Sequence, residues 1–365
     1  MQHLFIGDIA TALPAFLSER AYSQLVILTD TVVQQYCLPI LLEKVPLLRA
    51  ASLICIETGE QYKNIDTCSY IWRQLLAAGA DRQTLLLNFG GGVVGDMGGF
   101  AAATYQRGIG FIHLPTTLLA QIDAAIGGKL AIDFDGLKNM VGLFRQPEAI
   151  FADPFFLATL STRQLRSGYA EMLKHALIAD PEQFALLDPD TLPHTQPHTW
   201  GQTPSEVAAV SRAAATKMAV VRDDPQEKGR RKILNFGHTI GHALESWSLA
   251  HQSNDPLLHG EAIAAGMIAE LYLSQQAAGF PTAQFSTVAT RLRSLFPPQM
   301  IKTACQAALD GDDLFWHALG KDKKNVGNSY RFVLLRQIGS PIWDIEISQQ
   351  EIRNSLVVCR EWASN

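Results

Sequence analysis

Several features are scarce in this chain, and each absence disfavours a class of protein. No apolar run reaches membrane-spanning length without a glycine, polar or charged interruption, so no membrane segment is expected. The five cysteines form no closely spaced pair, which disfavours both a disulfide framework and a cysteine metal site. Basic residues number 30 against 35 acidic ones, and the net charge of −5 disfavours a nucleic-acid binder.

The N-terminus lacks a basic region followed by an apolar core, so no signal peptide is expected. Scattered thiols are typical of a reducing compartment, and a cytoplasmic protein is predicted. The remaining composition, 47% hydrophobic and 18% charged over 365 residues, is ordinary for a globular protein and sufficient for two domains. Local clusters of Lys and Arg are therefore interpreted as sites for small anions.

Hydrophobic patterning changes near residue 153. Before it, a predicted helix at 66–79 alternates with strands at 25–28, 52–56, 84–88 and 109–114. This alternation predicts an α/β domain, residues 1–153, with a Rossmann-like parallel sheet. A mostly α-helical domain, residues 154–365, is predicted from segments at 157–179, 205–221, 233–248, 260–276 and 284–295, with strands at 331–335 and 341–347 as a terminal hairpin. Residues 180–204 are predicted to be a surface connection, and the cleft between the domains is the expected active site.

A glycine-rich segment, residues 90–99, follows the third predicted strand. Glycines let the backbone approach a pyrophosphate, and a following helix N-terminus favours its charge. The spacing of Gly90, Gly92 and Gly95 fits the dinucleotide fingerprint, although the acid expected about 20 residues later is not cleanly present. A tight turn with close packing explains the glycines equally well. Asp96 would repel a phosphate and is expected to cap a helix or to contact a ribose.

Several lysines stand in settings suited to an anionic ligand. Lys129 follows two glycines, which places an ammonium beside exposed backbone N–H groups. Lys138-Asn139 and the run 321–325 are similar, and Arg107 belongs to the same class. Taken singly, each is more typical of a solvated surface turn, so the sequence supports a phosphate site only if the segments act together.

Three of the ten histidines fall within one short stretch. His238 and His242 are four residues apart and share one face of a helix, and His259 returns beside an acid. A catalytic zinc ion needs about three protein ligands and an open position, for which spacing favours His238, His242 and either His259 or Glu261. No HExxH motif is present, which disfavours a metalloprotease.

In order and spacing, these motifs resemble the 3-dehydroquinate synthase family of the sugar phosphate cyclases over residues 58–335. The resemblance is carried by residues 59–63, 90–100, 115–117, Asp123 with 127–129, 138–139, 170–171 with Lys174, 234–242, 259–261 and 322–324. It implies a lyase that converts 3-deoxy-D-arabino-heptulosonate 7-phosphate to 3-dehydroquinate and phosphate. That step belongs to the shikimate pathway of chorismate and aromatic amino-acid biosynthesis. The family uses NAD and a divalent metal, Zn²⁺ or Co²⁺, and is typically a homodimer.

The resemblance also implies roles for individual residues. It makes Glu171, His238 and His259 the metal ligands, in place of the set that spacing favours, and makes His242 a substrate contact. For NAD it implies Glu60, Lys63, Gly91, Gly92, Val93, Asp96, Thr116, Thr117, Lys129, Lys138 and Thr159. For the substrate phosphate it implies Lys129, Asn139 and Lys323 or Lys324, with Arg107 reaching in from a neighbouring subunit. For the substrate carboxylate and hydroxyls it implies Asp123, Lys174, Lys217, Arg231 and Asn235.

The implied reaction oxidises the substrate transiently with NAD, eliminates phosphate, re-reduces the product and closes a ring by an intramolecular aldol step. One alternative is another sugar phosphate cyclase, which the retained Lys217, Asn139 and His242 disfavour. A second is a metal-dependent polyol dehydrogenase, which would not need the phosphate-binding residues. A third is a metal-stabilised protein without catalysis, which an acid-plus-histidine set beside a nucleotide loop disfavours.

Overall fold

The structure, a computed structural model, describes residues 3–135, 137–187, 200–252, 254–296, 298–320 and 330–364. The chain forms two compact units, each discontinuous in sequence. One comprises Met1–Leu165 with Thr195–Ala214, and the other comprises Arg166–His194 with Ala215–Asn365. Among the helices that the structure describes, none combines the length and apolar character needed to cross a membrane.

The first unit is built on a parallel sheet, as predicted, but the sheet has six strands, of which the first and last in sequence were not predicted. Its strands are β1 (His3–Ile6), β2 (Leu25–Asp30), β3 (Ser52–Ile56), β4 (Leu85–Gly90), β5 (Gly110–Pro115) and β8 (Ala149–Ala152). They lie in the order β1-β8-β5-β4-β2-β3. From β2 the chain moves outward to β3, and from β4 it moves the other way to β5. The boundary between β2 and β4 is therefore the topological switch point, where open α/β sheets bind ligands.

Helices cover both faces of this sheet: α1 (Ile9–Ser18), α2 (Thr31–Tyr36), α3 (Leu38–Lys44), α4 (Ile65–Ala77) and α5 (Gly92–Thr104). Strand β4 shows why the fold requires this. Leu85, Leu87 and Phe89 pack in one apolar cluster with α1, whereas Leu86 packs in a second cluster with α4 and α5. A strand buried on both faces reads as a continuous apolar run, which is typical of parallel sheets.

A two-stranded antiparallel hairpin, β6 (Lys129–Phe134) and β7 (Leu137–Phe144), was not among the predicted elements. The sequence indicated surface turns at Lys129 and at Lys138-Asn139, but both lie on these strands. Its apolar residues Phe134, Met140, Val141 and Phe144 are exposed. The hairpin lacks a clean alternation of apolar and polar residues, which explains why its pattern gave no strand signal.

The second unit is mostly helical, as predicted. It holds most of α6 (Thr162–Ala179) and the C-terminal part of α8 (Pro204–Asp223), which begins in the first unit. Its other elements are α7 (Pro181–Leu186), α9 (His238–His251), α10 (His259–Ala278), α11 (Thr282–Arg293), α12 (Pro298–Asp310), α13 (Asp313–Gly320), the hairpin β9 (Tyr330–Gln337) and β10 (Ser340–Ile347), and α14 (Gln349–Trp362). The terminal hairpin is confirmed as an antiparallel pair. Helices α12, α13 and α14 were not predicted, and neither was α7, which occupies part of the predicted surface connection at 180–204. Residues 188–199 of the predicted connection lie outside the described residues.

Two predicted helices are each divided in the structure. The segment 233–248 becomes a 3-10 turn, Arg230–Asn235, and then α9, which begins only at His238. Gly237 separates them, since its φ of 78° is left-handed and cannot continue a helix. Likewise, 157–179 becomes a 3-10 turn, Pro154–Thr159, followed by α6. His238 therefore stands at the start of a helix and not within one.

Candidate active site

Three helices of the second unit bring an acid and two histidines together. Glu171 lies midway along α6, whereas His238 and His259 are the first residues of α9 and α10. The Oε1 atom of Glu171 is 3.7 Å from Nε2 of His238 and 3.7 Å from Nε2 of His259. This grouping is the set that the family resemblance implied.

Glycines allow the helices that carry these residues to approach closely. A Cβ atom on Gly260 would overlap the backbone of Ser167 in α6, and the Gly260 N–H donates to Ser167 Oγ at 2.9 Å. Between α9 and α10, a Cβ on Gly237 would lie 2.7 Å from Met267 Cγ, and one on Gly241 would lie 2.9 Å from Ile263 Cδ1. Larger residues at these positions would push apart the helices that carry Glu171, His238 and His259.

Each of the two histidines has its second ring nitrogen held by an acceptor. Nδ1 of His238 is 3.0 Å from the carbonyl oxygen of Phe236, and Nδ1 of His259 is 3.3 Å from Oε2 of Glu245. In a neutral imidazole, a proton on Nδ1 leaves the lone pair on Nε2, which is the atom that faces Glu171 in both residues. Such outer partners commonly fix the tautomer and orientation of metal-binding histidines.

The three groups have strongly shifted pKa values. Burial opposes ionisation of Glu171, but Lys174 and His259 outweigh it and lower its pKa to about 2. Burial and the neighbouring Lys174 hold the pKa of His238 well below its usual value, so its imidazole is neutral. Burial also opposes charge on His259, yet Glu245 and Glu171 raise its pKa to about 9. At neutral pH the cluster therefore holds the carboxylate anion of Glu171, the neutral imidazole of His238 and the protonated imidazole of His259.

The donor set fits a divalent metal ion. Donors bound about 2.0–2.1 Å from one tetrahedral zinc ion lie roughly 3.4 Å apart. The observed separations of 3.7 Å from Glu171 to each histidine need little adjustment to reach that value. Oε1 of Glu171 is buried and has no hydrogen-bond partner among the described residues, which is costly unless another group neutralises it. Lys174 contacts the other carboxylate oxygen.

The alternative sets that spacing favoured fare differently. His242 lies close to the cluster, with its ring centroid 5.0 Å from that of His238 and 5.7 Å from that of His259. Ligand nitrogens of His238, His242 and His259 all lie within 4.8 Å of one another, so geometry permits this set as well. Glu261 instead lies in the first turn of α10, where its Oε2 accepts the N–H of the N-cap residue Leu258 at 2.8 Å. The carboxylate of Glu261 is therefore engaged with the backbone at the start of α10.

Other predicted substrate contacts of this unit are buried polar groups. Lys174, Lys217 and Arg231 are each less than a tenth exposed. Arg231 donates through Nη1 to the Pro225 carbonyl at 2.7 Å, and Asn235 donates to Oε1 of Glu227 at 2.6 Å. Buried cations of this kind suit an anionic ligand. Lys323 and Lys324 lie outside the described residues.

In the first unit, the glycine-rich segment forms the turn between β4 and α5. A Cβ on Gly90 would lie 2.6 Å from Val94 Cγ2, and one on Gly91, the N-cap of α5, would lie 3.2 Å from Thr117 Cγ2. The first N–H groups of a helix have no acceptor within it, so this turn presents donors at the switch point. Helix α5 packs closely against the sheet at Gly98 and against β6 at Gly99. At Gly95, by contrast, a Cβ would make only ordinary contact with His113.

Predicted cofactor residues form a network beside this turn. Nζ of Lys63 is 2.7 Å from Oδ2 of Asp96 and donates to Oδ1 of Asn139 at 2.6 Å. Lys138 pairs with Glu60 at 3.0 Å. The prediction that Asp96 caps a helix is wrong, because it lies inside α5 and its charge meets the ammonium of Lys63.

Further predicted residues of the first unit lie at several places, of which Thr116 is next to the turn. Thr116 follows β5, is buried, and donates its N–H to the Gly90 carbonyl at 3.0 Å. Thr159 Oγ1 is 3.2 Å from Cys37 Sγ. Asp123 lies in a short π-helix, Ala120–Ala124, a distortion frequent at functional sites. Lys129 and Arg107 are exposed, and Arg107 adopts a left-handed φ of 68°.

Asp30 was not among the predicted site residues, although its position makes it a candidate. It ends β2, the neighbour of β4 across the switch point, and accepts the Val33 N–H at 2.9 Å and the Thr58 hydroxyl at 2.7 Å. The fingerprint places an acid after the glycines, whereas here the acid at the end of the neighbouring strand precedes them in sequence. The strand ending in Thr29-Asp30 was the available signal.

Comparison with known proteins assigns the family. A family model described as 3-dehydroquinate synthase N-terminal matches residues 53–167, and one described as 3-dehydroquinate synthase C-terminal matches residues 168–325. The chain belongs to the 3-dehydroquinate synthase family. A 3-dehydroquinate synthase of Parabacteroides distasonis is 41% identical over 357 residues, which is 97% of this chain and 96% of the relative. Members of this family are lyases that depend on NAD and a metal.

Solved structures agree with this family assignment. The 2-epi-5-epi-valiolone synthase of Streptomyces hygroscopicus, with NAD⁺ and Zn²⁺ bound, has a TM-score of 0.85 and 28% identity, covering 99% of this chain and 97% of its own. A 2-deoxy-scyllo-inosose synthase complexed with carbaglucose-6-phosphate, NAD⁺ and Co²⁺ has a TM-score of 0.79 and 27% identity, covering 98% and 96%. Both are similar to this 3-dehydroquinate synthase family member over nearly the whole chain.

Proposed function

We propose that this chain converts 3-deoxy-D-arabino-heptulosonate 7-phosphate to 3-dehydroquinate and phosphate, with a divalent metal ion held by Glu171, His238 and His259. One observation carries the metal assignment. The buried Glu171 oxygen faces the Nε2 atoms of both histidines at 3.7 Å, and each imidazole has its Nδ1 held elsewhere. Three protein donors leave a coordination position open, as catalysis requires.

The nucleotide site is proposed at the turn between β4 and α5. Gly91, Gly92 and Val93 offer backbone N–H groups to the pyrophosphate. Around them we assign Glu60, Lys63, Asp96, Thr116, Thr117, Lys129, Lys138 and Thr159. The Lys63–Asp96 pair supports this, because it keeps the Asp96 charge away from a phosphate. Residues 1–153 are accordingly proposed as the NAD-binding domain, with Thr159 added from beyond it, and residues 154–365 as the metal- and substrate-binding domain, with further substrate contacts from the first domain.

The chemistry divides between the bound groups and the chain. NAD held at the turn between β4 and α5 would supply hydride transfer, and a divalent metal held by Glu171, His238 and His259 would supply polarisation of a substrate oxygen. The chain binds and orients the substrate. Lys129 and Asn139, with Lys323 or Lys324 and a neighbouring subunit's Arg107, are proposed to hold its phosphate, where each charge-assisted contact contributes about 1.5–3 kcal/mol.

The carboxylate and hydroxyls of the substrate are proposed to contact Asp123, Lys174, Lys217, Arg231, Asn235 and His242. The positive charges of Lys174, Lys217 and Arg231 support this, because they are buried in the unit that holds Glu171, His238 and His259 and favour binding of an anionic substrate. Lys174 also neutralises one oxygen of Glu171, which leaves the other to face the histidines. A homodimer in the cytoplasm is proposed from the family resemblance.

The decisive experiment follows phosphate release from the heptulosonate phosphate while recording absorbance at 340 nm. Phosphate release without accumulation of NADH is expected, because the oxidation is reversed within one turnover. Stoichiometric NADH would instead indicate a dehydrogenase. Turnover of sedoheptulose 7-phosphate in preference to the heptulosonate would indicate another cyclase of this superfamily.

A further inference from the structure

Helix α9, which begins at His238, is not capped by a side chain of its own. Its N-cap residue is Gly237, which has no side chain, and Gly237 is buried. The first N–H groups of a helix lack intrahelical acceptors, and when buried they need acceptors from another element. The first turn of the histidine helix therefore depends on a neighbouring part of the fold.

Glu270 of α10 supplies those acceptors. Its side chain is fully buried, with 0% exposure. Oε2 accepts the Gly237 N–H at 2.7 Å, and Oε1 accepts the Ile240 N–H at the longer distance of 3.5 Å. A carboxylate at a helix N-terminus makes charge-assisted bonds and offsets the positive end of the helix dipole. Glu270 thus links the first turn of α9 to α10.

The same two helices are in tight contact around this link. A Cβ on Gly266 would overlap the carbonyl oxygen of Gly237, and one on Gly241 would lie 3.0 Å from the Ala262 carbonyl oxygen. Backbone therefore meets backbone with no flexible side chain between. In such packing, a small shift of α9 along α10 moves the His238 ring relative to the His259 ring.

We propose that Glu270 is a positioning residue for the metal site, which it serves by fixing the first turn of α9 against α10. It stands 11 residues beyond His259 on the same helix, and its hydrogen bonds hold the residue before His238. One carboxylate thereby sets the distance between two ligand-bearing helix ends, without contacting either ligand. The proposal rests on the proposed function, since it takes His238 and His259 as metal ligands.

The test compares E270Q with wild type. Glutamine is similar in shape but offers one acceptor oxygen, and its NH₂ group would oppose a backbone N–H. We expect the Kd for Co²⁺ to rise roughly tenfold or more, as for loss of other outer groups around metal sites. The visible Co²⁺ absorption spectrum should change in shape, because the geometry of the ligands changes. Far-UV circular dichroism should be retained.

S274A is the matched control on the same helix. Ser274 Oγ donates to the Glu270 carbonyl at 2.6 Å and accepts the Leu335 N–H at 3.0 Å, so it ties α10 to β9 and not to α9. Its loss should lower the unfolding temperature while leaving the Co²⁺ Kd and spectrum unchanged. A rise in Kd confined to E270Q would support positioning; the same rise in S274A at equal loss of stability would overturn it.

E270D covers the case in which E270Q fails to fold. It keeps the carboxylate on a side chain one methylene shorter, and a raised Kd is again expected. A folded E270Q or E270D with the wild-type Kd and spectrum would overturn the proposal. If wild type itself binds no Co²⁺ at this site, the proposed metal function fails together with it, whereas normal wild-type binding with unaffected variants removes only the role of Glu270.

Discussion

At the scale of single residues, the cluster of Glu171, His238 and His259 depends on how charge is stabilised where water is excluded. Glu171 is ionised although it is fully buried, because Lys174 and His259 lower its pKa to about 2. His259 keeps its proton to a pKa of about 9 because Glu245 and Glu171 surround it. A metal ion and a proton therefore compete for His259, while the neutral His238 is already suited to coordination.

This competition gives a pH dependence of metal binding. Below pH about 9, His259 must release a proton before Nε2 can coordinate, so Co²⁺ affinity should rise about tenfold per pH unit between pH 7 and 9. Titration calorimetry in buffers of different ionisation enthalpy should detect about one proton released per ion at pH 7.

Glu245→Gln provides the control for this prediction. Removing its charge should lower the pKa of His259, so less proton release is expected at pH 7, although the lost orientation also weakens binding. A Co²⁺ affinity that is flat from pH 7 to 9 in wild type would contradict the protonated state of His259.

At the scale of elements, the site depends on how closely the helices can approach their neighbours. Helix α5 packs on the sheet and β6 through Gly98 and Gly99, where a Cβ would meet Asn88 and Leu130 respectively. Helix α10 approaches α6 and α9 through Gly260 and Gly266. These close approaches position the first turn of α5 beside the sheet and the first turns of α9 and α10 beside α6.

Gly98→Ala should destabilise the fold, whereas Gly95→Ala should not. Alanine favours a helix by about 1 kcal/mol over glycine, so Gly95→Ala, which gains only ordinary contact with His113, should not destabilise the fold. Gly98→Ala would place a methyl group against Asn88 and Leu28, and overpacking of this kind costs about 1–3 kcal/mol. Urea denaturation without nucleotide measures both. Equal midpoints for the two variants would contradict this account of the packing.

At the scale of the whole molecule, metal binding couples to stability because the ligands come from three helices. At a metal concentration about one hundred times its Kd, the folded state should gain about 2.7 kcal/mol. Chelation should therefore lower the unfolding temperature measured by calorimetry, and added Zn²⁺ should restore it.

Two variants separate stabilisation by a metal ion at this site from stabilisation by metal ions bound nonspecifically elsewhere. Glu171→Ala should abolish the thermal shift with Zn²⁺, since it removes a central donor. His317→Ala, an exposed histidine elsewhere in the same unit, should keep the full shift. A shift that persists in Glu171→Ala would place the stabilising ion at other residues.

The sequence by itself determined the parallel sheet and the glycine-rich turn, and its motif order, which resembles one family, singled out Glu171, His238 and His259 as the proposed ligands. These features depend on local patterns: apolar runs between turns, glycines after a strand, and histidines near a helix start. It missed the β6–β7 hairpin, and it did not foresee the division of the histidine helix at Gly237.

Only the tertiary structure decided how the ligands meet. Glu171 precedes His259 by 88 residues, and the roles of Glu245, Glu270 and Asp30 depend on which helices and strands become neighbours. Spacing could not choose between His242 and Glu171, because it reports only residues on one helix face. Contacts between distant segments are set by packing of the whole unit, and a local pattern carries no record of them.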